Sequence, residues 1–367
     1  MIYVCFGTQA ELIKLAPVLR ELAARGVAHR IIDSGQQPLQ TQLLQPVFGL
    51  RPPDVRLHVG KGVFTGPKAL VWGGRIVSSC ALRRRRFRTM FGPSGVRRDG
   101  PDKGVCVVHG DTLSTLLFAM ISRMMGLKLA HVESGLRSFR WFNPFPEEIV
   151  RVIANRRADV LFAPGQWACD NLRRMKVKGR VVPLPCNTGK EALEYVLAQP
   201  GERPAAAEPY ALASIHRYET VSSRRYFRMA VQAVLRASKV ARVIWPLHTV
   251  TRNAMSQDLL AQLQQANVQL CDTLPYVQFA HLLAGAQFVL ADGGSIQEES
   301  FFLGKPCLLL RHATERQEGL GQNVLLSQWR PELIEQFLAD TSQYARPCEM
   351  TGRPSTIIVD ELVRMDL

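Results

Sequence analysis

Three acids stand where apolar runs end: Asp111 in His109-Gly110-Asp111-Thr112, Glu133 in His131-Val132-Glu133-Ser134-Gly135-Leu136-Arg137, and Glu147 in Asn143-Pro144-Phe145-Pro146-Glu147-Glu148. Each alone has a plainer reading. Asp111 as an N-cap needs only an oxygen that accepts helix N–H bonds, and Glu147 with Glu148 in a helix's first turn suits the helix dipole. Acids at successive boundaries of one α/β half, however, converge at the C-terminal edge of its sheet. Carboxylates brought close there have their proton affinities split, giving one proton donor and one acceptor. That constellation suits acid–base chemistry at carbon.

The second half carries groups of the opposite kind. Ser214-Ile215-His216-Arg217-Tyr218-Glu219 follows a strand-like run and can bring an imidazole and a guanidinium to phosphate oxygens. In Asp292-Gly293-Gly294-Ser295-Ile296-Gln297-Glu298-Glu299, a strand end, two glycines and a helix start offer backbone N–H groups to a phosphate, with acids further along for ribose hydroxyls. Arg311-His312-Ala313-Thr314-Glu315-Arg316 adds cations after another strand, whereas His248, after Pro246-Leu247, reads as structural support. Near the N-terminus, Phe6-Gly7-Thr8-Gln9-Ala10-Glu11 opens a helix after a tight turn at Gly7; its N–H groups could serve an anion, but alone the turn reads as structural.

The elements that must position these groups alternate from end to end, as in parallel α/β architecture. Strands are expected at Ile2–Phe6, His29–Asp33, Val105–His109, Lys128–Glu133 and Asp159–Phe162, with helices near Glu11–Arg25, Pro67–Arg88, Leu113–Met125 and Glu147–Asn155. Pro164-Gly165 and Pro183-Leu184-Pro185 read as punctuation at an interdomain crossing. A second series follows, with strands near Tyr210–Ser214, Arg242–Pro246, Val268–Leu270, Phe288–Ala291 and Pro306–Leu309 and helices near Ser222–Ser238 and Ser295–Phe302. The 367 residues therefore divide into two Rossmann-like α/β domains facing a cleft, the default ligand site. The expected boundaries are 1–180, joined by a C-terminal helix 355–367, and 181–354.

A net charge of +15 suits phosphate-rich ligands, nucleic acid or an anionic membrane. Much of it lies in Arg83-Arg84-Arg85-Arg86-Phe87-Arg88, read as a solvated face with peripheral membrane contact as the minority option; no nucleic-acid-binding motif accompanies it. Eight cysteines without a CxxC pair read as reduced core thiols with no metal framework. Without a signal-peptide pattern or a membrane-length apolar run, the chain is expected in the cytoplasm.

Across nearly the whole chain, the ordered segments Phe6-Gly7-Thr8…Glu11…Lys14…Ala16-Pro17, Ser34-Gly35-Gln36, His109-Gly110-Asp111-Thr112, His131 to Arg137, Pro146-Glu147-Glu148…Arg151, His216-Arg217…Glu219, Leu274-Pro275-Tyr276, Gly294…Gln297-Glu298-Glu299, Leu303-Gly304-Lys305-Pro306 and Thr314-Glu315-Arg316 resemble the UDP-N-acetylglucosamine 2-epimerase family. The resemblance implies a GT-B-like fold with UDP held mainly by the second domain, a homodimer, and neither metal nor nicotinamide cofactor. It makes Asp111, Glu133 and Glu147 the acid–base carboxylates and sets His216 at the diphosphate. Glu299 would hold the ribose, Gly293, Gly294, Ser295 and Arg316 the phosphates, and Lys14 with Arg151 the sugar side. The implied reaction removes the C2 proton and expels UDP to a glycal-like intermediate, then returns UDP and a proton on the other face, serving cell-surface polysaccharide precursors.

Three positions depart from the family pattern. Gln9 stands where arginine is usual, a substrate-binding position. The phosphate turn reads Asp292-Gly293-Gly294-Ser295 in place of Asp-Ser-Gly-Gly, moving the hydroxyl by two positions, and Gln37-Pro38-Leu39 replaces polar and charged residues linked to regulation by a second substrate molecule. Alternatives to the epimerase are a hydrolysing variant that releases ManNAc and UDP, a GT-B glycosyltransferase, and a non-catalytic UDP-sugar-binding homologue.

Overall fold

The computed structural model describes residues 1–60, 62, 66–82, 104–141, 146–200 and 208–365. Chain contacts divide it into two units, Met1–Tyr195 with Thr351–Leu367, and Val196–Met350.

In the first unit, apolar runs such as Val105-Cys106-Val107-Val108 are buried on both sheet faces, as parallel strands covered by helices require. The strands are β1 (Ile2–Phe6), β2 (His29–Asp33), β3 (Val55–Arg56), β4 (Val105–His109), β5 (Lys128–Val132), β6 (Val160–Pro164) and β7 (Arg180–Leu184). They form one parallel sheet in the order β3-β2-β1-β4-β5-β6-β7. The accompanying helices are α1 (Gln9–Ala24), α2 (Pro38–Val47), α3 (Gly66–Leu82), α4 (Leu113–Met125), α5 (Glu147–Arg157), α6 (Gly165–Arg174) and α7 (Gly189–Leu197). Only Gly66–Leu82 of the helix expected to reach Arg88 is described; the arginine run lies outside the described residues.

The two proline-marked stretches are corrected by the structure. Pro164 ends β6 and precedes α6, while Pro183 lies within β7, at the sheet's edge, where a missing N–H donor is tolerated. The first unit thus runs on through β7 and most of α7.

The second unit holds β8 (Tyr210–Ser214), β9 (Arg242–Leu247), β10 (Val268–Asp272), β11 (Phe288–Ala291), β12 (Cys307–Leu309) and β13 (Val324–Leu326), in the parallel order β10-β9-β8-β11-β12-β13. Its helices are α8 (Tyr218–Val221), α9 (Arg224–Ala237), α10 (Thr249–Ala254), α11 (Gln257–Gln265), α12 (Tyr276–Gly285), α13 (Gly294–Phe302) and α14 (Pro331–Ala339). Trp245, Phe288 and Phe337 anchor its core. The last helix, α15 (Pro354–Arg364), returns to the first unit and packs on α1; Ser355 donates through N and Oγ to Glu191, and Arg25 pairs with Asp360 at 2.5 Å.

Both sheets reverse strand order between their first strand and the fourth, at β1/β4 and β8/β11. In open α/β sheets the loops beyond the strand C-termini at such a reversal are where ligands bind. Among the described residues no helix is long and apolar enough to cross a membrane.

Candidate functional site

The β1–α1 turn is held by its own side chains. Gly7 N and Thr8 N donate to Glu11 Oε2 at 2.8 and 2.9 Å, Glu11 N donates to Thr8 Oγ1, and Gln9 N donates to Gln37 Oε1 at 3.0 Å. This is a capping box, legible as Thr8-x-x-Glu11, and with Gln37 it takes up the N–H groups of Gly7, Thr8, Gln9 and Glu11, in line with the structural reading of the turn. Gly7 is required for close approach, since a Cβ there would lie 1.9 Å from Ser34 Oγ and 2.1 Å from Ser114 Oγ. Glu11 also accepts from Thr112 Oγ1 and Thr115 Oγ1, tying this turn to the β4–α4 turn. Burial pushes its carboxyl up from the ordinary range against the pull of these donors.

That second turn carries Asp111. Thr112, whose Oγ1 accepts from Thr115 N, is the N-cap of α4, so Asp111 is not spent on capping. Its carboxylate pairs with Arg151 on α5, and the Arg151 guanidinium also lies 3.5 Å from Glu148 Oε2. Glu148 is fully buried and further accepts from Arg137 Nε at 2.5 Å and Ser138 N at 3.0 Å. Glu148 therefore holds the arginine that holds Asp111, while half-buried Glu147 opens the same helix. The preceding residue is fixed from β5, because His131 Nε2 lies 2.7 Å from Gly110 O. A carbonyl demands a proton on Nε2, and burial holds the ring below its usual range against the pull of its oxygen neighbours. On its other side Nδ1 faces Asn155 Oδ1 at 2.9 Å.

Glu133 follows β5 directly, with φ at 63°. A non-glycine residue held in left-handed backbone costs of order 1–3 kcal/mol and persists where surroundings over-determine it. Those surroundings are Lys14 Nζ on α1, 2.5 Å from Glu133 Oε2, and Asn187, whose amide donates to the same oxygen; His109 Nε2 is 3.8 Å away. Lys14 is 6% and Glu133 7% exposed, so the ion pair is desolvated and each charge depends on the other. A Cβ on Gly110 would sit 3.6 Å from Glu133 Oε1, which places this carboxyl beside the turn carrying Asp111. Asn187 lies beyond β7 among prolines and glycine, with no local signal to single it out.

In the second unit the two turns at the reversal are joined by buried Asp292, which accepts from His216 N at 3.0 Å and from Arg217 N at 2.9 Å. Arg217 turns its guanidinium to Glu219, at 2.9 Å. A Cβ on Gly293 would lie 3.4 Å from His216 Cε1, so the imidazole edge rests on the glycine turn. Helix α13 begins there without a side-chain cap, unlike α1, and Ser295 in its first turn is exposed. Arg316 lies over that start: a Cβ on Gly294 would be 3.1 Å from its Nε, and its guanidinium pairs with buried Glu298 at 3.0 Å. Gln297 secures the loop by donating to Arg316 O and Glu318 O while accepting from Thr314 Oγ1. One turn along α13, Glu299 Oε1 accepts from Tyr276 OH at 2.9 Å. Burial, then the adjacent carboxylate, raises the Tyr276 phenol well above its usual range.

Each unit thus gathers its chemistry at strand C-termini, one as carboxylates with cation partners, the other as an uncapped helix start with imidazole and guanidinium. No group of three or more His, Cys, Asp or Glu among the described residues is arranged to hold a metal ion.

Two α/β units with one repeated strand order, and a glycine turn against histidine and arginine in the second, define a GT-B-like protein. The profile of the UDP-N-acetylglucosamine 2-epimerase family matches residues 96–352. The UDP-N-acetylglucosamine 2-epimerase of Bacillus subtilis is 28% identical, with 98% of this chain and 93% of that protein covered. The UDP-2,3-diacetamido-2,3-dideoxy-D-glucuronate 2-epimerase of Pseudomonas aeruginosa is 34% identical over 62% of this chain and 65% of its own length. The structure of the Neisseria meningitidis UDP-GlcNAc 2-epimerase bound to UDP-GlcNAc superposes with a TM-score of 0.83 at 25% identity, covering 99% of both chains. The chain belongs to the UDP-N-acetylglucosamine 2-epimerase family.

Proposed function

We propose that the chain is a non-hydrolysing epimerase that interconverts UDP-GlcNAc and UDP-ManNAc. The observation that carries this is the Asp111–Arg151–Glu148 and Glu133–Lys14 arrangement, two carboxylates brought beside one turn and each supported by a buried cation. Proton removal at C2 needs a base and its return on the other face an acid, the work of Asp111, Glu133 and Glu147. Departure of UDP needs groups that stabilise a diphosphate. The uncapped start of α13 at Gly293, Gly294 and Ser295 supplies these with His216, Arg217 and Arg316, and Glu299 takes the ribose. Lys14 and Arg151 support the sugar side through Glu133 and Asp111, and Gln9 sits at the substrate without the charge of an arginine.

Incubation with UDP-GlcNAc followed by proton NMR tests the reading: UDP-ManNAc appears and comes to equilibrium with the starting sugar. Release of free ManNAc with UDP would make the enzyme the hydrolysing variant, and neither C2 inversion nor UDP release would overturn both. The Pseudomonas relative names a different UDP-sugar, so UDP-2,3-diacetamido-2,3-dideoxy-D-glucuronate belongs in the same assay. Preferential turnover of that sugar would move the specificity while leaving the chemistry. A cytoplasmic homodimer completes the proposal, checked by fractionation and light scattering. A vesicle-binding assay addresses the Arg83–Arg88 run.

A further inference from the structure

His248 is the residue beside these groups to which the sequence reading assigns only support. It follows β9 and starts α10 with extended backbone, and its side chain makes no capping bond, so the ring is not spent on the helix. The ring lies against His216 instead, centroids 4.4 Å apart and planes tilted by 33°. The same helix is tied to the strand end that bears His216, because Thr251 Oγ1 donates to Ile215 O at 2.7 Å.

His216 is therefore gripped from two elements, the turn after β11 and the start of α10. Asp292 at the end of β11 takes its backbone N–H, Gly293 lies under its Cε1 and Nε2 edge, and His248 covers a ring face. Nδ1 is buried, without a hydrogen bond and 3.9 Å from Asp292 Oδ1, which leaves Nε2 as the ring nitrogen that can serve a ligand. The charged and titratable groups facing the pair are Asp292 from β11, Arg217 from the His216 loop, and each ring for the other.

We propose that His248 is a positioning residue that fixes the His216 imidazole edge-on to the Gly293 turn, so that Nε2–H is presented to a phosphate oxygen of the bound nucleotide. The proposal rests on the nucleotide-sugar reading above and deepens it. An aromatic partner at this separation restricts ring rotation and excludes water from one face. A pre-oriented donor forms its bond to phosphate without first losing rotamer freedom. Burial holds the His216 ring below its usual range, and partial desolvation, then the His216 ring, lower His248 to about 4 although the residue as a whole is exposed.

The test compares His248→Ala and His248→Phe with the unaltered protein, using UDP as the probe. The Ala variant should keep its melting temperature within a few degrees, bind UDP about tenfold more weakly by calorimetry, and show the His216 ring titrating at higher pH by ¹⁵N NMR as water regains the open face. The Phe variant, which restores an aromatic face without a titrating group, should recover most of the affinity and the original His216 titration. UDP affinity and ring titration unchanged in the Ala variant, or a Phe variant as impaired as Ala, would overturn the proposal. These readouts need no turnover. Failure of the epimerase reading would show as UDP binding without C2 inversion, separately from failure of this one.

Discussion

Helices α1 and α13 both start beside a strand-order reversal, yet their first turns are put to opposite uses. In α1, Thr8, Glu11 and Gln37 take up the turn's N–H groups from within the protein. In α13, Gly293 and Gly294 start the helix with no side-chain cap, and His216 and Arg316 crowd the opening. The same contrast extends to charge: the first unit pairs Asp111 with Arg151 and Glu133 with Lys14, whereas the second turns imidazole and guanidinium toward a glycine turn. One topology thus carries paired carboxylates at one edge and an uncapped helix start with imidazole and guanidinium at the other, because the residues after each strand, rather than the strands, set what gathers there.

The sharpest way to break this division is Asp111→Asn. It removes a proton-transfer group while keeping shape, so turnover should fall about 10²- to 10⁴-fold with UDP affinity unchanged in calorimetry. Surviving activity would remove Asp111 from proton transfer. Lys14→Met should act on stability as well as rate, since Glu133 would be left as a buried charge without its lysine. A loss of about 3 kcal/mol in denaturant unfolding is expected, and a loss under about 1 kcal/mol would show that Asn187 and solvent suffice. On the other side of the comparison, Glu299→Ala should weaken UDP binding about tenfold and leave the melting temperature nearly unchanged. An unaltered affinity would take the ribose from Glu299.

The smallest expected effect is a pH dependence of stability. Burial depresses His131 and His216, and His248 is pushed down to about 4 from an ordinary 6.5. As pH falls below 6.5 the unfolded chain takes up protons that the folded chain refuses, so folding loses stability progressively toward each depressed value. The melting temperature should decline between pH 6.5 and 4, and a flat or rising curve would contradict the lowered proton affinity of these rings.

These contrasts were unevenly legible beforehand. Runs such as Val105–His109 and Phe288–Ala291 stand out because strands buried on both faces are uninterrupted apolar stretches. The strand-end positions of Asp111, Glu133, His216 and Gly293 follow directly from them. Short or polar elements such as α2, α6 and β7 do not announce themselves, and prolines that end β6 and sit within edge strand β7 imitate a domain linker. The partnerships of Asn187 with Glu133 and of Asp292 with His216 are visible only in space, since a buried hydrogen bond between distant residues leaves no periodic trace. Glu11 is the intermediate case: its capping box is local and readable, but its bonds to Thr112 and Thr115 join strands more than a hundred residues apart.

In the proposed reaction the first unit's carboxylates exchange a proton at C2 while UDP departs and returns. Turnover of UDP-GlcNAc in D₂O tests it most directly. The account predicts deuterium at C2 of the UDP-ManNAc formed and, as the reaction reverses, in the recovered UDP-GlcNAc. Inversion without deuterium at C2, or no inversion at all, would contradict it.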